Sequence, residues 1–195
     1  MSCLTQRPTT GWLFLALVIS GSLIAAPAQG SGGDKESEAQ EKRLKIDTMA
    51  KETLDRLFKE DPGARSLFDK AHGYAVFDNL KLSLFLSGGG GAGVAVDKGS
   101  GARTNMKMGT AGLNLGLGGQ KYQVVFLFQD AKTFEDFVKK GWQADAGANA
   151  VAGKEGVNAG ASFVKGMAVY QLTEGGLMLQ ADIAGTKYWK CDKIN

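Results

Sequence analysis

The sequence predicts an α+β domain, built on a bent, mainly antiparallel, glycine-rich sheet or partial barrel, with an N-terminal helix and one helix inserted between strands. Three observations predict it. Between positions 87 and 119 glycine alternates with apolar residues, and the run Gly88, Gly89, Gly90, Gly91, Ala92, Gly93 is the densest stretch of the chain's 28 glycines. Such a pattern marks closely packed, sharply bent strands. Amphipathic helical segments stand before and after this region. Successive strand-like segments are joined by short turns, as antiparallel sheets require.

Residues 1–28 are expected to form a signal peptide. Arg7 supplies a thin positive start, residues 12–24 are apolar, and Ala26, Pro27 and Ala28 offer small side chains for cleavage. The apolar stretch fits the roughly 7–15 residues of an export signal and is short for a membrane span. Cleavage after Ala28 would direct the protein to the periplasm or outside the cell. It would also remove Cys3 and leave Cys191 alone, so no internal disulfide is expected, and Cys191 reads as an inert surface thiol with pairing between chains as the alternative. The mature chain would keep 22 Lys+Arg (the 23 of the whole chain less Arg7) against 20 Asp+Glu. Nucleic-acid binders carry a stronger basic bias, so that class is excluded, while a local basic patch remains available to an anionic membrane.

Residues 29–40 read as a flexible polar leader, and 41–195 as a single domain. Over residues 41–59, Ile46, Met49, Ala50, Thr53, Leu54 and Leu57 fall on one helical face. The opposite face mixes Lys51, Glu52, Asp55 and Lys59, which favours packing on a sheet over a membrane-surface helix. Asp61, Pro62 and Gly63 stop this helix. A second helix is expected over 64–71, with Gly73 as its stop and His72 as a capping or solvated residue. Strands follow at 74–77, 80–86, 103–108, 113–117 and 124–128. In one of them Arg103, Asn105 and Lys107 face one way and Thr104, Met106 and Met108 the other. Leu113, Leu115 and Leu117 share a face whose back is lined by glycine, where a packed helix, an acyl chain or a partner segment would fit. Thr133 and Asp136 have capping-box spacing ahead of the apolar face Phe134, Phe137, Val138 and Trp142. Residues 144–160 read as a loop of small residues; strands at 167–172 and 177–183 flank the turn at 174–176, and 186–189 is the last strand.

The chain offers little for catalysis. Gly88, Gly90 and Gly93 have dinucleotide-fingerprint spacing, but a strand and turn follow where a helix must stand. His72 is the sole histidine, and neither a metal set nor a nucleophilic triad can be assembled around it. Asp182 reads as a solvated carboxylate. No enzyme, metal or cofactor signature is present. Two surface features remain as candidates for lipid binding: the basic stripe of Arg103 and Lys107, and the pair Tyr188 and Trp189 flanked by Lys187 and Lys190. Aromatic rings suit a membrane interface and lysines suit its charge.

The succession Ala71, His72, Gly73, Tyr74, Ala75, Val76, Phe77, the glycine run at 88–93, the segments 112–116 and 124–128, and Gly175, Gly176, Leu177 resemble the SYLF domain family. Residues 104–109 are similar to exported bacterial members, and the likeness runs from about Ala64 to Trp189. Eukaryotic members bind phosphoinositide membranes and some bind actin. The resemblance implies a non-catalytic lipid- or membrane-binding module of the bacterial cell envelope contacting anionic phospholipid. The alternative is a structural or partner-binding envelope protein that uses exposed sheet edges. Asp78 stands where many members have proline, and Arg103, Thr104 and Asn105 replace the Trp-Ser segment of eukaryotic members, so phosphoinositide and actin recognition do not carry over.

Overall fold

The computed structural model describes residues 32–144, 162–177 and 185–195, with the backbone alone at 32–34, 81–87 and 112–118. The expected signal peptide, nearly all of the segment 144–160 and Asp182 lie outside the described residues. So do the side-chain surroundings of Leu113, Leu115 and Leu117. Within these bounds the chain is α+β with a curled sheet, and every described strand pairing is antiparallel.

Helix α1 (Gly32–Glu60) begins upstream of Glu41 and takes in the polar stretch that reads as a leader. Its buried stripe is Ala39, Ile46, Ala50, Thr53, Leu54 and Leu57. Pairs such as Glu41–Lys45 (2.6 Å) and Arg56–Glu60 (2.8 Å) line the polar side, each adding a few tenths of a kcal/mol. The proline that ends α1 opens α2 (Pro62–Lys70), because a first-turn residue has no helical N–H partner to lose. Asp61 caps α2 by accepting from the backbone N–H of Gly63 (2.8 Å) and Ala64 (3.2 Å). Gly73 is not the helix stop. The cap residue Ala71 is extended, and Lys98 closes the helix end by donating to the carbonyls of Phe68 (2.5 Å), Asp69 (3.2 Å) and Ala71 (3.1 Å). His72 sits in a tie between elements, with Nε2 3.2 Å from Asp97 Oδ2 and its ring beside Phe134.

Strands β1 (Gly73–Asp97) and β2 (Arg103–Phe128) form one long hairpin, registered from Gly73↔Phe128 to Val96↔Arg103 with one irregularity between Leu84 and Leu86. The segments that read as separate short strands are therefore continuous. Asp97 shapes the connecting turn by accepting from the N–H of Ser100 (2.9 Å) and Gly99 (2.8 Å), bonds that, Ser100's above all, hold its carboxyl below the ordinary value. The glycine run lies inside β1, with no helix after it.

The hairpin curls back on itself. A straight strand would hold Asp78 and Gly91 roughly 40 Å apart, yet a Cβ on Gly91 would lie 1.8 Å from the Asp78 carbonyl oxygen. A Cβ on Gly93 would lie 2.1 Å from the Val76 oxygen and 2.5 Å from the Phe77 ring. Backbone meets backbone at this crossing, and only glycine allows it. The remaining strands extend the two ends of β2. β4 (Met167–Thr173) pairs with its second half and continues into β5 (Gly176–Leu177). β6 (Thr186–Lys190) pairs with its first half and carries β3 (Trp142–Gln143).

Two cores result. Inside the curl lie Phe77, Phe126, Phe128, Met106, Met108, Val124 and Tyr188, closed by Phe134 and Phe137 of α3 (Ala131–Lys140). On the outer side, Val76, Val94, Val96, Val125, Leu127 and Leu172 meet α1 and α2. The far end of α1 is fastened where Glu60 accepts from the Leu177 N–H (2.5 Å) and Arg56 donates to the Thr173 carbonyl.

Helix α3 corrects the capping assignment. Asp130, not Thr133, is the cap, accepting from the Thr133 N–H (2.9 Å) and hydroxyl. Trp142 lies beyond the helix in β3. Asp130→Ala should cost about 1 kcal/mol, the usual value of such a cap, and Thr133→Val less, measured as shifts in urea midpoint. Equal midpoints for Asp130→Ala and the wild type would remove this carboxylate from the account of α3.

Candidate functional site

The candidate lipid-binding residues all fall on β2 and β6, and the register between these strands sorts them. Met106 pairs with Lys190, Lys107 with Trp189, Met108 with Tyr188, Gly109 with Lys187 and Thr110 with Thr186. Successive side chains of a strand point to opposite faces, and directly opposed residues share a face. Lys107, Lys187 and Trp189 therefore lie together on the outer face, and Arg103 lies farther along it. Lys107 and Lys187, 80 residues apart in the sequence, thus come to one surface.

Tyr188 leaves the set. It is wholly buried, with its ring 4.7 Å from Phe77 and 4.9 Å from Phe126. Adjacent residues of one strand cannot both face a membrane, and here the aromatic core takes Tyr188 and leaves Trp189 outside. Lys190 alternates with Trp189, is exposed at the strand end and lies 3.9 Å from Asp192. Arg103 is drawn into an ion pair with Asp47 of α1, so part of its charge is already answered.

Trp189 is 39% exposed, among the few large apolar side chains of which this holds among the described residues. Its indole lies over Gly109, where a Cβ would come within 3.1 Å of the ring. Gly90 stands opposite Gly109 on β1, and a Cβ there would meet only the Met108 carbonyl oxygen, at 3.5 Å; one on Gly88 would meet nothing within 4 Å. The outer face here is a shallow floor of peptide backbone, with Trp189 on it and Lys107 and Lys187 at its sides. Gly109 is the member that residue type alone could not mark as part of a surface. The spacing of Lys107 and Gly109 on one strand face is the signal that was there.

Asn105 separates Arg103 from Lys107. Its side chain donates to the Ile194 carbonyl (2.9 Å), its N–H donates to the side-chain oxygen of Asn195 (2.6 Å), and its carbonyl accepts from the amide of Asn195 (2.9 Å). Arg43 of α1 holds the Ile194 carbonyl from the other side (2.9 Å). The segment after β6 thus crosses the stripe, and Cys191 within it is buried rather than at the surface. Among the described residues no group of His, Cys, Asp and Glu stands where a metal could be held, and no helix is long and apolar enough to cross a membrane.

The chain is similar to Beta cell expansion factor A from Aeromonas veronii, at 52% identity over 151 residues. The match takes in 77% of this chain and 58% of the relative, so this chain spans less than two thirds of that protein's length. No protein-family model matches the chain.

Proposed function

We propose that the protein is a non-catalytic, SYLF-like lipid-binding module of the bacterial cell envelope, exported to the periplasm or beyond, which contacts anionic phospholipid through the outer face of β2 and β6. The observation that carries this reading is the exposed indole of Trp189 lying on a glycine floor, with Lys107 directly opposite and Lys187 on the same face. A tryptophan with its edge free suits the headgroup level of a bilayer, and flanking lysines add attraction to anionic lipid. Gly90 and Gly109 place no side chain between this floor and the headgroup layer.

Flotation with neutral and anionic phospholipid vesicles tests it. Each lysine near an anionic surface contributes about 1 kcal/mol, so Lys107→Ala/Lys187→Ala should weaken binding to anionic vesicles roughly thirtyfold. Trp189→Ala should weaken binding to both kinds of vesicle. Arg103→Ala removes one charge rather than two, from a guanidinium that Asp47 already engages, and should change binding less than the double lysine variant. Equal flotation of wild type and the lysine variant would reject the electrostatic mechanism. No flotation of the wild type would turn the reading to a partner-binding envelope protein.

A further inference from the structure

Helix α1 turns one polar flank toward the basic stripe of β2. Glu36, Gln40, Arg43 and Asp47 follow one another at four-, three- and four-residue steps, so they share a side of the helix. In the middle of this flank Arg43 reaches the segment laid over Asn105, donating to the Ile194 carbonyl (2.9 Å), while Glu36 (3.2 Å) and Gln40 (3.5 Å) accept from its other end. At the far end Asp47 pairs with Arg103. Arg43 and Arg103, the two arginines along this border, are therefore each answered by a carboxylate of α1.

The two pairs differ in what surrounds them. Arg43 is tied to three partners and to the backbone of the segment it holds. Arg103 makes a single ion pair whose side chains are 46% and 36% exposed, so both ends meet solvent. Arg103 also stands on the same outer face as Lys107, roughly 13 Å along the strand. Its charge sits at the end of a long stem that can swing from a carboxylate to a phosphate. An exposed ion pair is worth a factor of at most about five to the fold. An arginine near an anionic surface strengthens binding by about the same factor. The two partners are thus closely matched, and the charge density of the approaching surface decides between them.

We propose that Asp47 sets the anionic-lipid threshold of the outer face, holding Arg103 on α1 until a strongly charged bilayer draws the guanidinium away. The inference rests on the lipid-contact reading given above and makes Asp47 the residue by which that face separates strongly from weakly anionic membranes.

Flotation of the full chain with phosphatidylcholine vesicles carrying graded fractions of phosphatidylglycerol tests the proposal. At an intermediate fraction Asp47→Asn should bind about fivefold more tightly than the wild type, and it should reach half-binding with less phosphatidylglycerol. On pure phosphatidylcholine it should gain nothing. Asp47→Glu, which keeps the charge, should keep the wild-type threshold. In an Arg103→Ala background Asp47→Asn should lose its gain, because the carboxylate acts through that guanidinium. Glu52→Gln removes another exposed carboxylate of α1, away from this flank, and should gain less than about twofold because salt screens charges remote from the contact. Asp47→Asn should melt with the wild type, since the buried stripe of α1 is untouched; Asp47→Ser repeats the test should it melt earlier. An equal gain from Glu52→Gln, or an undiminished gain without Arg103, would overturn the proposal. An unchanged threshold in Asp47→Asn, while the wild type still floats through Lys107 and Lys187, would overturn it alone. Failure of the wild type and Asp47→Asn alike to float would overturn the lipid-contact reading with it.

Discussion

Gly93→Ala is expected to lose at least about 3 kcal/mol of stability, whereas Gly88→Ala, a few residues earlier in the same glycine run, should change it by no more than about 0.5 kcal/mol. The difference is entirely one of surroundings. A methyl group at Gly93 would lie 2.1 Å from the Val76 oxygen and 2.5 Å from Phe77 Cδ1, while one at Gly88 would touch nothing within 4 Å. The first contact is with backbone, which cannot rotate aside, so relief requires opening the curl of β1. Since small domains are stable by only about 5–15 kcal/mol, much of the native population is at stake. Urea denaturation followed by circular dichroism measures both variants. Similar midpoints for the two would show that the halves of β1 do not cross as described.

Phe126→Ala should cost about 3–5 kcal/mol, as truncation of a fully buried phenylalanine does when its surroundings cannot collapse. Phe126 meets Phe77, Phe128, Phe137, Trp142 and Tyr188, with ring centroids between 4.9 and 6.3 Å. These partners come from β1, β2, α3, β3 and β6, so no single element can move to fill the void. Phe58→Ala is the useful contrast. That ring is half-buried and packs at the α1–α2 corner against Phe68, 5.1 Å away, and its truncation should cost less. Equal losses would mean that the inner core is not where the fold's stability is concentrated.

Much of this architecture is legible residue by residue. The buried stripe of α1 follows the spacing of Ile46, Ala50, Leu54 and Leu57, and the strand-turn-strand reading of residues 94–108 holds because the polar, glycine-bearing stretch 97–101 separates an apolar run from the two-faced segment 103–108. The upstream extension of α1 is not visible in hydrophobic periodicity, because residues 35–38 are exposed and salt bridges line that helix. The curl of β1 is a contact between distant parts of one strand, and glycine content shows only that such a contact is permitted. For the candidate site, the side-chain types were legible and their directions were not. In Lys187, Tyr188, Trp189 and Lys190 either parity is compatible with the residues, and only the seating of Tyr188 against Phe77 and Phe126 decides which aromatic faces out. Arg103 lost part of its standing for a similar reason, since its partner Asp47 lies on a helix far earlier in the chain.

The clasp of Asn195 on Asn105 bears on how the molecule stays apart from its neighbours. β6 pairs with β2 no farther than Lys190 opposite Met106, and beyond that rung a free edge of β2 would offer its peptide groups to any passing strand. The N–H and carbonyl of Asn105 are the first such groups. One side-chain amide occupies both, with the Cys191 N–H sharing the carbonyl at 2.9 Å. Asn195 thereby imitates one more residue of a neighbouring strand, using a carboxamide in place of a peptide bond. At this rung the sheet has no vacancy for strand addition, so an extended peptide seeking this edge would first have to displace its own chain's substitute.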